Sequence, residues 1–116
     1  MKDFVKIGIL YDFYGELLTQ KQKDAISFYY DENMSLSEIA DEFHISRQAV
    51  HDTLKNAESV LQNYEDVLAL IKKAEMREKL AKKAYGLIDK FEEFESDDER
   101  KKALREVRNA IEKMNG

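Results

Sequence analysis

The sequence contains no cysteine, which excludes disulfides, thiolate zinc sites, iron–sulfur clusters and cysteine nucleophiles together. It also lacks proline and has only four glycines, so it is poor in the residues that supply the turns of β-sheets. No long uninterrupted apolar run occurs, and acidic residues separate the apolar ones near the start, so we expect neither a signal peptide nor a membrane span. These absences predict a cytoplasmic, all-α protein.

Charged residues are abundant and their balance is acidic. They make up 37% of the 116 residues, against about 25% in an average domain, which suits long exposed helices. Nineteen Lys and Arg residues against 24 Asp and Glu residues give a net charge of −5. This is the wrong sign for a protein that coats nucleic acid without sequence preference, so any such contact is expected to be local.

Apolar spacing and capping residues predict about six helices. The first runs from Phe4 to near Gly15. Three pairs have the spacing of a capping box, in which each side chain satisfies the other residue's free backbone donor: Thr19 with Gln22, Ser35 with Glu38, and Ser96 with Glu99. A turn is predicted at residues 31–33, and Ser46 is a further N-cap residue.

A heptad seam follows Ser46. Its members recur at alternating steps of four and three residues, as in coiled coils and bundles, and are Val50, Leu54, Ala57, Leu61, Tyr64, Leu68 and Ile71. The seam predicts one helix from Ser46 to about Lys72, or two helices with a break near residues 62–66. A further helix is predicted from about Ala74 to Glu95, and a last one after Ser96.

The segment from Ser35 to Leu54 has the spacing of a helix-turn-helix. Two helices joined by so few residues cross steeply, which requires a small residue at the crossing and apolar residues after it. Ala40, Ile45, Val50 and Leu54 provide these at offsets 0, 5, 10 and 14. The turn usually has glycine at offset 4, where φ is positive, whereas this chain has His44, a residue that visits that region more often than most. Two ordinary packed helices are the alternative interpretation.

The helix-turn-helix predicts both a division of the chain and a set of DNA contacts. Residues 1–62 form the helix-turn-helix domain, with a recognition helix at about residues 46–62, and residues 63–116 form a charged helical appendage for dimerisation or partner binding. Arginine suits guanine or phosphate, glutamine suits adenine, and a serine at a helix N-terminus suits a phosphate oxygen. The residues expected to face double-stranded DNA are Ser46, Arg47, Gln48, His51, Asp52 and Lys55.

The charge around this helix opposes DNA binding. Residues 19–60 contain four Lys and Arg residues against eight Asp and Glu residues, a net charge of −4. Because neutralised phosphates supply most non-specific affinity, binding by a monomer should be weak.

Charge is segregated in the appendage. A basic stretch, followed by an acidic one at residues 89–99, contains Lys72, Lys73, Lys79, Lys82 and Lys83. These lysines form either a solvated helix face or a surface for phosphates or for an acidic patch on another chain.

Catalytic and metal-binding interpretations have little support. Two histidines without cysteine are a thin basis for a metal site, and a turn position and a helix-surface position explain both His44 and His51. The sequence has no glycine-rich phosphate loop and no nucleophile elbow. We therefore expect no enzyme, metal or cofactor.

The stretch from Leu10 to Glu65 resembles the YlxM family of small bacterial proteins, whose helix-turn-helix is similar to region 4 of sigma factors. The run YYxxxxSLSEIAxxFxISRQAVxDxLK, from Tyr29 to Lys55, carries the resemblance. It implies an all-helical, DNA-binding protein. Genes of this family commonly neighbour that of the signal recognition particle GTPase, which implies a regulatory or accessory role in protein targeting.

Two hypotheses of function remain. In the first, a homodimer regulates transcription by reading DNA with residues 46–55 of each subunit. In the second, the helix-turn-helix is a scaffold, and the charged appendage binds the signal recognition particle GTPase or its RNA. The seam from Val50 to Ile71, together with Phe91 and Phe94, predicts the homodimer.

Overall fold

The structure is a computed structural model that describes residues 3–115. Within this range the chain is helical and contains no β-strand. The α-helices are α1 (Phe4–Tyr14), α2 (Gln20–Ile26), α3 (Leu36–Phe43), α4 (Arg47–Leu68), α5 (Leu70–Asp89) and α6 (Asp97–Asn115). A short 3-10 helix follows α1 at Gly15–Leu17, and another follows α5 at Phe91–Glu93. A short π-helix follows α2 at Ser27–Asp31. The predicted all-α fold of six helices is confirmed.

Side-chain caps set the starts of several helices. In α2 and α3 the Thr19/Gln22 and Ser35/Glu38 capping boxes form with both reciprocal hydrogen bonds, as predicted. The pair before α6 differs from the prediction. The Ser96 hydroxyl accepts the N–H of Glu99, but the Glu99 carboxylate accepts the N–H of Glu95 at 3.0 Å. The cap therefore reaches one residue further back than a capping box does.

The chain divides into two compact units, Met1–Ile71 and Lys72–Gly116, called here the first and second units. The sequence placed this boundary nine residues earlier, at residue 62. The difference arises because Tyr64 and Ile71 still pack on the core of the first unit.

The core of the first unit is built from α1 to α4. Ile7, Leu10 and Tyr14 of α1 are buried against the other helices. The first four residues of the predicted seam, Val50, Leu54, Ala57 and Leu61, have no exposed surface. Because these residues already pack inside the unit, they are not available to a second chain. A homodimer must therefore use another surface than the one the seam suggested.

The break in the seam lies at Ala69, between α4 and α5. Ala69 has a φ of 53°, in the left-handed region, and so ends α4. The hydroxyl of Tyr14 donates to Glu65 Oε1 at 2.6 Å and accepts the N–H of Leu70 at 3.0 Å. Glu65 Oε1 also accepts the N–H of Ile71 at 3.0 Å. These two side chains satisfy the first free donors of α5, which fixes the new helix start.

Burial and the hydrogen bond to Glu65 raise the pKa of Tyr14 above its ordinary value. The hydroxyl therefore keeps its proton and continues to donate to the carboxylate at neutral pH.

The second unit contains most of α5 and all of α6. The predicted bounds of about Ala74 to Glu95 for the fifth helix were wrong, because the helix starts directly after Ala69 and ends at Asp89. The acidic residues that follow Asp89 belong to the 3-10 turn and the connection to α6. Among the described residues of this unit, the buried hydrophobic side chains are Ala84, Ala103 and Ala110.

Candidate nucleic-acid interface

The turn between α3 and α4 closes with a well-defined hydrogen-bond pattern. The N–H of Ile45 donates to the carbonyl of Ala40 at 3.0 Å, and the N–H of His44 donates to that of Asp41 at 3.3 Å. This pair of bonds is the Schellman motif, which needs a left-handed residue directly after the helix. His44 fills that position with φ 56° and ψ 44°. The positive φ expected at His44 is therefore confirmed.

The four residues that predicted the helix-turn-helix lie where that motif needs them. Ala40, Val50 and Leu54 are buried, and Ile45 is half-buried against the same core. The small side chain of Ala40 lets α3 and α4 approach closely at their crossing. The start of α4 is consequently held by the core while its other face remains in solvent.

Ser46 caps α4 at its exposed end. Its Oγ accepts the N–H of Ala49 at 3.0 Å, which satisfies one of the free donors of the first turn. The hydroxyl proton remains able to donate. A helix N-terminus attracts anions through its free N–H groups and its dipole, so this end suits a phosphate oxygen.

Most of the predicted DNA-facing side chains are exposed on α4. Arg47, Gln48, Asp52 and Lys55 point into solvent. The Gln48 amide donates to Asp52 Oδ1 at 3.0 Å. This bond holds Gln48 along the helix, so Gln48 must leave Asp52 before it can pair with an adenine edge.

His51 differs from the other members of this set. Its side chain is only 34% exposed, and Nδ1 lies 3.6 Å from Asp52 Oδ1. The Nδ1 atom itself is buried. His51 therefore offers one edge of its ring to solvent, rather than the whole imidazole.

Two further polar residues continue the exposed face of α4. Asn56 and Ser59 are both exposed and follow Asp52 by four and seven residues, which keeps them on one side of the helix. The DNA-facing residues predicted from the sequence end at Lys55 and do not include Asn56 and Ser59. Their signal was the same helical spacing, extended by another turn.

A groove of about 450 Å³ lies beside this face, between α1 and α4. Its charged lining residues are Lys6 and Lys55 together with Asp3 and Glu58. Two cations and two carboxylates cancel, so the groove offers polar groups without a net attraction for phosphate. Burial and the carboxylate of Glu58 raise the pKa of Tyr30 nearby, so its phenol stays protonated.

Charge is divided unequally between the two units. Residues 1–71 contain six Lys and Arg residues against thirteen Asp and Glu residues, a net charge of −7. Residues 72–116 contain thirteen against eleven, a net charge of +2. The helix-turn-helix thus belongs to the acidic unit.

The five lysines singled out in the sequence, Lys72, Lys73, Lys79, Lys82 and Lys83, are all exposed on α5. Lys72, Lys79 and Lys83 follow one another at steps of seven and four, so they share a face. Lys82 pairs with Glu78 at 3.3 Å. Arg77 donates to the carbonyl of Met114 at 3.3 Å, a contact between α5 and the end of α6.

Residues 3–115 show neither a candidate metal-binding cluster nor a candidate membrane span. They contain no group of three His, Cys, Asp or Glu side chains arranged to hold a metal ion. None of their helices has the length and apolar character that crossing a membrane requires.

The crossing of α3 and α4, the turn at His44 and the exposed start of α4 define a helix-turn-helix protein. A family model described as "Putative helix-turn-helix protein, YlxM / p13 like" matches residues 1–107. The chain belongs to this family, UPF0122, as the resemblance predicted.

Relatives of nearly equal length support this membership. A UPF0122 protein of Desulforamulus reducens is 42% identical, and the match covers 97% of each chain. UPF0122 proteins of Bacillus thuringiensis (strain Al Hakam) and Bacillus cereus (strain 03BB102) are each 42% identical, and these matches cover 94% of each chain.

Proposed function

We propose that the chain is a regulatory protein that binds double-stranded DNA with the N-terminal half of α4. The observation that carries this proposal is the turn at His44, which leaves the first turns of α4 in solvent while Val50 and Leu54 anchor the helix. A helix presented in this way fits the major groove.

The exposed residues have distinct chemical roles in this proposal. The Arg47 guanidinium suits the two acceptors of a guanine edge, and the Gln48 amide suits an adenine edge. Ser46 and the free N–H groups beside it suit a phosphate oxygen, which fixes the position of the helix on the DNA. Such a role places the protein in the cytoplasm.

The acidity of the first unit sets the strength of binding. Residues 1–71 carry a net charge of −7, which repels the phosphates of DNA. Because phosphate neutralisation supplies most non-specific affinity, the first unit gains little affinity of this kind. Affinity then depends on base contacts and on a second copy that doubles them. A single copy is expected to bind weakly.

The experiment compares the parent chain with Arg47→Ala. The parent selects its preferred duplex from a random pool, and binding to that duplex and to a scrambled one is measured over a salt series. We expect Arg47→Ala to cost roughly 1–3 kcal/mol on the selected duplex and to relax the preference at one base position. Arg105→Ala, which removes an equal charge from the exposed face of α6, is the matched control and should retain the preference.

Failure to enrich any sequence from the pool would contradict specific DNA binding. Equal binding of the parent and Arg47→Ala to both duplexes would contradict base contacts by α4.

A second candidate function is an accessory role, in which the second unit binds the signal recognition particle GTPase or its RNA. The division of charge favours it, since a net charge of −7 on the helix-turn-helix unit opposes DNA while exposed lysines line α5. Lys72, Lys79 and Lys83, called here the lysine ridge, share one face of α5. A row of lysines like this contacts phosphates without sequence preference. The accessory role requires those lysines for binding, whereas DNA binding by α4 does not depend on them for base recognition.

A further inference from the structure

Asp52 lies at the centre of the solvent-facing side of α4. The buried residues Val50 and Leu54 are each two positions away from it. At about 100° per residue, this spacing puts Asp52 on the side of the helix opposite the core. Its side chain is 60% exposed. A helix that lies in the major groove with its core side turned away from the DNA directs such a side chain at the base edges.

One oxygen of the Asp52 carboxylate is engaged by neighbouring side chains in the free protein, and the other is open. Oδ1 accepts the amide N–H of Gln48 at 3.0 Å and lies 3.6 Å from Nδ1 of His51. Among the described residues, no hydrogen bond reaches Oδ2. A carboxylate has no proton to donate, so Oδ2 can only accept. It remains available when Gln48 leaves Oδ1 to pair with a base.

The base edges of the major groove offer a carboxylate few donors. Cytosine presents N4–H₂ and adenine presents N6–H₂, but adenine also carries the acceptor N7. Guanine presents the acceptors N7 and O6, and thymine presents the acceptor O4. A carboxylate placed against an acceptor is repelled, whereas cytosine presents a donor and no acceptor. An acidic side chain in this position therefore selects cytosine by attraction and also by rejecting the other bases.

We propose that Asp52 is a specificity-determining residue that selects cytosine at one position of the DNA site, with Oδ2 accepting an N4–H of the base. The inference rests on the DNA binding proposed above. It adds the contact of Asp52 with cytosine to those of Arg47 with guanine and of Gln48 with adenine.

α4 contains a matched control for Asp52. The amide of Gln62 donates to Oδ1 of Asp66 at 2.8 Å, so the bond between Gln48 and Asp52 recurs near the other end of the helix. Asp66 is also exposed. It follows Asp52 by fourteen residues, which is about 21 Å along the helix axis. Asp66→Asn therefore removes the same charge and the same kind of bond, away from the proposed DNA contacts.

The test compares the duplexes that the full-length parent, Asp52→Asn and Asp66→Asn select from a random pool. We expect the parent to select cytosine at one position. Asp52→Asn should select adenine there, because an asparagine amide pairs with N6 and N7 of adenine. Asp66→Asn should select the same duplex as the parent. In titrations at one salt concentration, replacing that C·G pair by T·A should weaken binding of the parent roughly tenfold more than binding of Asp52→Ala.

Circular dichroism checks that each variant keeps the helix content of the parent. The inference would be overturned, with DNA binding by α4 still standing, if Asp52→Asn selected the duplex of the parent unchanged. It would also be overturned if Asp52→Asn changed the preference only where the parent does not select cytosine, or if Asp66→Asn changed it at the same position. A parent that enriches no sequence from the pool would contradict the proposed function, and the choice of cytosine with it.

Discussion

His44 shows how one residue sets the geometry of the helix-turn-helix. Its left-handed conformation lets the N–H of Ile45 return to Ala40 and turns the chain into α4. The spacing of apolar residues was enough to predict this turn and its positive φ. The partial burial of His51 could not be predicted in the same way, because it depends on the packing of neighbouring helices.

Replacing His44 tests the strain at this position. We expect His44→Gly to raise the free energy of unfolding by roughly 0.5–1 kcal/mol, since glycine adopts positive φ without a Cβ clash but loses more chain entropy. His44→Val should lower it by about 1 kcal/mol or more, because a β-branched residue is poorly suited to that region. Urea unfolding of the three proteins measures both differences. The opposite order of stability for Gly and Val would contradict this account of the turn.

At the scale of elements, the division between α4 and α5 depends on a contact that spans much of the chain. Tyr14 lies 51 positions before Glu65 and 56 before Leu70, and together Tyr14 and Glu65 cap the start of α5. The local sequence shows only an unbroken seam, so it indicated either one helix or a break a few residues too early. The starts of α2 and α3 were predictable because their capping residues are neighbours in sequence.

The lysine ridge of α5 separates the two candidate functions. We expect replacement of Lys72, Lys79 and Lys83 by Gln to leave folding almost unchanged, since exposed lysines contribute little to stability. In the accessory role this variant loses binding to the signal recognition particle GTPase or its RNA. In the DNA-binding role it mainly reduces the slope of log affinity against log salt, by up to about 3.

The matched control for this variant replaces Lys101, Lys102 and Lys113, three exposed lysines of α6, by Gln. Calorimetry compares the stability of the α5 and α6 variants with that of the parent, and titrations compare their binding to each partner. If the α5 and α6 variants bind every partner as the parent does, the lysines of α5 form a solvated face and neither function uses them.

At the scale of the whole molecule, the two units differ in charge and in the use of their apolar residues. The first unit has a net charge of −7, and its core contains the first four residues of the seam. Composition predicted the helical class and the overall acidity. The sequence did not show that Val5, Ile9 and Phe13 of α1 face solvent, because α1 has apolar residues on both sides and its outer face is known only when the core side is known.

The central claim, that the start of α4 reads DNA, is tested most directly by the amide spectrum of ¹⁵N-labelled full-length chain titrated with the duplex it selects. We predict that the largest shifts fall on residues 46–59, with Arg47 and Gln48 among them, and that a scrambled duplex produces much smaller changes there. Shifts confined to α5 and α6, with residues 46–59 unchanged, would contradict the claim.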